Sequence, residues 1–179
     1  MPRSFYLTMK KNDAVERRQF ILNEITTNPI SATALAKSLG VSRQVIVGDV
    51  ALLRASGNDI IATARGYILP TVNEDTRFIG TLACFHAPEK TKDELYAIVD
   101  HGASVLNIII EHDVYGEITG NLNLSSRKDV DMFMQKVDSS EVKLLSELTS
   151  GIHLHTISCA SKKHFNEVYN AVKSMGFLI

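Results

Sequence analysis

The sequence predicts an α+β fold in two domains. Three observations carry this reading. Residues 13–57 hold apolar side chains at helical spacing, punctuated by helix caps, and are followed by two short strand-like runs. Residues 76–179 alternate strand-like and helix-like segments in the order βαββαβα. Between them Thr71-Val72-Asn73-Glu74-Asp75 is polar, follows Pro70 and reads as a linker. The expected domains are therefore residues 1–72 and residues 76–179.

In the first domain, Val15, Phe20, Ile21 and Ile25 recur as on a helix from Asp13 to about Thr27, and Asn28-Pro29 ends it, because a residue before proline avoids the α region. Ser31 is a suitable N-cap for a second helix, Ala32–Leu39, closed by Gly40. Ser42 caps a third, from Arg43 to about Ala55. The runs 59–64 and 66–69, with a tight Ala64-Arg65-Gly66 turn, form a hairpin.

In the second domain, strands are expected at Phe78–Phe85, Val105–Glu111, Tyr115–Leu124 and Ile152–Ser158. Helices are expected at Lys90–Asp100, Ser126–Asp138 and Ser161–Met175, with Leu95, Ile98, Val130, Val168 and Val172 among the core-facing side chains. Helices on one face of a mixed or antiparallel sheet follow from that order.

Composition narrows the function. Apolar residues make up 45% of the chain, but none of the apolar runs reaches the roughly 20 residues that span a bilayer. Met1-Pro2-Arg3-Ser4 does not open a secretory leader, so a cytoplasmic protein without membrane partners is expected. The net charge of −1 conceals an asymmetry: residues 1–73 hold nine Lys/Arg against five Asp/Glu, and residues 74–179 hold ten against fifteen. A basic first domain suits a polyanion.

Helix, glycine turn, helix and hairpin make a winged helix-turn-helix, whose second helix enters the major groove. Ala34 and Ala36 let the two helices approach, and Leu39, Val41 and Val45 seal the core between them. The recognition helix would open on Ser42, Arg43 and Gln44; Arg matches guanine and Gln matches adenine in the major groove. Arg54 is a phosphate contact candidate, and Arg65 sits at the wing tip. A tri-helical protein-binding module is the alternative.

All six histidines follow residue 85. In His153-Leu154-His155 the two imidazoles point to one face of a strand, as a metal requires. His86 ends the first strand of this domain and Glu94 follows eight residues later. Three imidazoles and a carboxylate suit nickel, zinc or ferrous iron better than calcium or magnesium. Spacing alone leaves alternatives: the His pair can be polar residues on an exposed face, and Glu94 can close a capping box with Thr91. Cys84 lies on the strand face of His86 and Cys159 on that of His155; either can serve as a thiolate ligand, though a buried thiol that only packs is commoner.

These stretches carry a resemblance. The first domain resembles the winged helix-turn-helix of biotin-ligase-type repressors. Ala83-Cys84-Phe85-His86 with Glu94, then Glu111-His112-Asp113-Val114-Tyr115-Gly116-Glu117, Arg127-Lys128-Asp129-Val130 and His153-Leu154-His155-Thr156-Ile157 resemble the 3H domain. Asp113 stands where that pattern has proline. The resemblance implies an open-faced β-sandwich like that of the histidine phosphocarrier protein. It also implies a nickel- or zinc-type metal on His86, Glu94, His153 and His155. The implied function is that of a homodimeric repressor of NAD-biosynthesis and niacin-uptake genes, binding operator DNA when nicotinic acid is present. Arg127, at a helix start, is a candidate for the effector carboxylate, with a salt bridge to Asp131 as the alternative. Three other functions compete: a regulator for which the metal itself is the signal, a metal-dependent hydrolase and, ranked last, a protein phosphorylated on a histidine, which only the phosphocarrier-like fold suggests.

Overall fold

The computed structural model describes residues 13–70, 77–140 and 142–179. The chain divides into two compact units, residues 1–72 and 73–179. The linker at 71–75, the start of the second domain at Thr76 and the segment Met1–Ser4 lie outside the described residues.

In the first unit, α1 spans Ala14–Glu24, α2 Ala32–Leu39 and α3 Arg43–Ala55; β1 (Ile61–Thr63) and β2 (Gly66–Ile68) form an antiparallel hairpin. Each helix start is capped by a side-chain oxygen, from Asp13, Ser31 and Ser42. Gly40 closes α2 in the left-handed conformation, at φ 64°. The first helix ends earlier than its sequence suggests: Ile25 is already extended and fully buried, four residues before Pro29. Burying Ile25 beneath the other helices wins over one more helical turn. From there the chain runs to Ile30, which exchanges both backbone hydrogen bonds with Tyr67 of the hairpin (3.0 and 2.8 Å). The wing is thereby held to the helical core.

That core is Ile21, Ile25, Ala32, Leu35, Ala36, Ile46, Val50, Leu53 and Ile60. Two expected packing residues fall elsewhere. Val45 and Ala34 are exposed, and Ile46 and Ala32 are buried in their place. Leu39 and Val41 pack at the margin. One buried charge sits among these apolar residues. Asp49 of α3 takes Arg17 of α1 through Nε (2.5 Å) and Nη2 (3.2 Å), with Arg18 at 3.5 Å.

In the second unit, β3 (Phe78–Phe85), β4 (Ser104–His112), β5 (Gly116–Leu124) and β6 (Ile152–Cys159) form one antiparallel sheet in the order β3-β6-β4-β5. Helices α4 (Thr91–Asp100), α5 (Arg127–Asp138) and α6 (Lys162–Ser174) complete the βαββαβα order. Strand alternation separates the two faces. Leu82, Cys84, His153, His155 and Ile157 are buried, whereas Ile79, Phe85, Ile152 and Leu154 are exposed, so the sandwich is open on one side. Residues 177–179 close the β3 edge: Phe85 donates to the Phe177 carbonyl (2.8 Å) and Ile179 to that of Ala83 (3.1 Å).

Removing one member of a buried ion pair strands the other. Asp49→Ala is therefore expected to cost the first unit about 2 kcal/mol, with Asp49→Asn losing less. Urea unfolding followed by circular dichroism measures both.

Candidate metal centre and nucleic-acid interface

The antiparallel register of β3 and β6 sets Cys84 opposite His153 and Leu82 opposite His155. The first turn of α4 adds Glu94, and His86 follows directly after β3. All four expected ligands are buried: Glu94 is 0% exposed, His153 and His155 2%, and His86 8%. They converge. Glu94 Oε2 lies 2.7 Å from His86 Nε2, 3.3 Å from His153 Nε2 and 3.4 Å from His155 Nε2. The capping-box alternative fails, because Lys90 is the N-cap, Thr91 is already helical, and the Glu94 side chain turns to the histidines instead.

The other ring nitrogen of each imidazole faces a backbone carbonyl. His86 Nδ1 lies 2.9 Å from Ala87 O, His153 Nδ1 2.9 Å from Gly151 O, and His155 Nδ1 2.8 Å from Asn107 O. A carbonyl only accepts, so each Nδ1 carries the proton. A neutral ring in that tautomer has a bare lone pair at Nε2. Three lone pairs thus face one carboxylate oxygen, and acceptors alone repel. A positive centre reconciles them, either imidazolium protons or a metal ion. Backbone-anchored Nδ1–H groups are the usual support for metal-binding histidines.

The electrostatics show the same coupling. Burial alone would raise the Glu94 carboxyl, but the neighbouring imidazoles hold it well below its ordinary value. Burial alone would lower His86 and His155, yet Glu94 leaves both raised. Burial and the Glu94 charge push the Cys84 thiol far up. Glu94 Oε1, also buried, has no hydrogen-bond partner. The donor set therefore fits a divalent transition metal, with a free carboxylate oxygen to spare.

Several supports escaped sequence reasoning. The β4 ladder is irregular between Val105 and Asn107, where Asn107 O holds His155 and Asn107 Oδ1 accepts from Thr156 N (3.2 Å). Gly151, at φ 98°, leaves no room for a Cβ, which would meet His86 O at 2.5 Å. Phe177 sets its ring 5.3 Å from that of His86. Only the glycine carried a sequence signal, at the bend before the His-x-His strand. A cavity of about 880 Å³ beside His153 is lined by Glu111, His112, Asp113, Glu117 and Ile152, among others.

Arg127 is placed apart from this centre. It pairs with Asp100, at the far end of α4 from Glu94, through Nε (2.7 Å) and Nη2 (2.6 Å), and stacks on Tyr96. Asp131, the alternative partner from the sequence, instead accepts from Lys92 (2.8 Å) and Tyr96. A paired Arg127 is not poised for an effector carboxylate. His101 and His164 also lie outside the cluster: His101 Nδ1 faces Ala97 O (2.7 Å), and His164 Nε2 contacts His101 O.

In the first unit, Arg43 and Gln44 are exposed on the opening turn of α3. Ser42 beside them uses its Oγ to accept from Val45 N (3.3 Å). Arg54 is exposed on the last turn of the same helix, about 16 Å along its axis. Arg65 lies in the hairpin turn, half-buried, with its backbone N–H on Thr63 Oγ1 (3.2 Å).

Comparison with known proteins agrees with both units. The 3H domain model matches residues 79–179, and an HTH domain model matches residues 17–68. The chain is 39% identical over 154 residues to the transcription repressor NadR of Bacillus subtilis (strain 168), covering 85% of this chain and 86% of that protein. It is 39% identical over 156 residues to the probable transcription repressor NiaR of Thermotoga maritima, covering 87% and 88%. With both domain models matched and two repressors aligned over most of its length, the chain belongs to the 3H-domain family of helix-turn-helix transcription repressors.

Proposed function

We propose that this repressor controls NAD-biosynthesis or niacin-uptake genes, with nicotinic acid as corepressor bound at or near a divalent metal on His86, Glu94, His153 and His155. The convergence of three Nε2 lone pairs on a buried carboxylate carries the metal part of the reading. A cavity lined by His153 together with the open-face residues Ile152 and Leu154 supports a small ligand near the centre. Its Glu111, Asp113 and Glu117 are acidic, so an anionic pyridine acid needs the metal's positive charge. A ligand represses only by favouring the DNA-competent state, here by resetting the spacing of two recognition helices in a homodimer. The repressor acts in the cytoplasm, where operator DNA and the metabolite meet. Among the described residues no helix is long and apolar enough to cross a membrane.

One observation favours a second reading. All four ligands are at least 92% buried, as suits an ion that is itself the signal. The hydrolase alternative has no counterpart among the relatives, which are named as repressors.

The experiment that tests the proposal is an operator gel shift titrated with nicotinic acid, with and without a chelator. Nicotinic acid should tighten binding at least tenfold, and chelation should abolish the effect. An unchanged affinity would refute the corepressor; metal alone sufficing would favour the second reading.

Arg43→Ala should weaken operator binding by about 1–3 kcal/mol and relax preference at one base pair. Arg54→Ala should weaken all sequences alike and flatten the salt dependence. Competition gel shifts at several salt concentrations separate the two.

Metal removal should also change the pH profile. A raised imidazole contributes stability that is complete below its unfolded value of about 6.5 and fades as pH rises through the folded value. The lowered Glu94 contributes stability that is complete above its unfolded value of 4.5 and is lost as pH falls through the folded one. Metal-free protein should thus hold this contribution fully between about pH 4.5 and 6.5 and lose it above. An added metal ion, which replaces the protons, should raise the Tm more at about pH 8 than at about pH 6. Calorimetry with and without chelator checks this.

A further inference from the structure

We infer that the metal centre has a fifth donor, the Sγ of Cys84, so that its ligand set is mixed nitrogen, oxygen and sulfur. The inference rests on the metal reading above and goes beyond the three imidazoles and one carboxylate.

Three observations carry it. Cys84 Sγ, a Glu94 carboxylate oxygen and a His153 ring nitrogen all lie within 4.8 Å of one another, and all three residues are buried. Cys84 is the register partner of His153 on the neighbouring antiparallel strand, so both side chains leave the same sheet face. The Glu94 side chain, 0% exposed, keeps Oε1 unpartnered within this cluster, as a carboxylate does when a ligand remains to be met.

The backbone fixes the thiol in place. The residues on either side of Cys84 are hydrogen-bonded to residues 177–179, through Phe85 N to Phe177 O and Ile179 N to Ala83 O. Cys159 provides the contrast. It is buried too, but stands opposite Phe78 and in no such cluster among the described residues.

Coordination is a substitution with a simple balance. A sulfur lone pair forms the bond to the divalent ion, the S–H bond breaks, and the proton leaves to buffer. A thiolate also changes what the centre selects. It biases the site toward zinc, cobalt and nickel and against magnesium, calcium and manganese, which prefer oxygen.

The test uses the full-length protein loaded with cobalt(II) or zinc alone. The cobalt protein should show a near-ultraviolet thiolate-to-cobalt charge-transfer band, lost in Cys84→Ser while the visible bands of bound cobalt remain, and retained in Cys159→Ser. X-ray absorption on the zinc-loaded wild type, which needs no variant to fold, should find one sulfur at about 2.3 Å. Bound metal with neither band nor sulfur scatterer overturns the fifth donor and leaves the imidazole–carboxylate centre standing. Failure of cobalt and zinc to bind at all overturns both.

Discussion

Three imidazole nitrogens face one carboxylate oxygen inside a region sealed from water, and lone pairs alone would repel there. That constraint organises the second domain. Water cannot screen the repulsion, because Glu94 is fully buried and the histidines nearly so. The fold meets the constraint by fixing tautomers. Each Nδ1–H is spent on a carbonyl of the main chain, leaving each Nε2 with only a lone pair to present. The polar cluster is costly to bury, and its groups offset that cost by facing one another in a fixed arrangement.

Secondary structure does the positioning. The β3–β6 register brings residues 84 and 153 together although they are far apart in sequence. A single helical turn lowers Glu94 onto them, and the irregular step in β4 frees a carbonyl for His155. None of these elements carries chemistry alone. In the first domain, a buried Asp49 joins α1 to α3 through two arginines, so the helix that presents Arg43 and Gln44 rests on a polar clamp as well as an apolar core.

Much of this was legible in the sequence because it obeys local rules. Ser31, Gly40 and Ser42 mark their helix ends through short-range hydrogen bonds and backbone conformation, and the structure follows them. His153 and His155 share a face because strands alternate, which needs no tertiary information. What stayed hidden depends on long-range packing. Ile25 leaves its helix early to reach the core, Val45 yields its expected buried place to Ile46, and Arg127 finds Asp100, twenty-seven positions away, rather than its helical neighbour Asp131. The Asn107 carbonyl that orients His155 belongs to a ladder irregularity that no residue type announces.

Phe177 joins several of these parts. Its carbonyl holds the end of β3, its N–H reaches back to Val172 of α6 (3.4 Å), and its ring lies against His86. The ring that packs on His86 is thus held by the same bonds that close the β3 edge. The setting of one imidazole is thereby tied to a single backbone bridge at the sheet edge, between Cys84 and Leu178.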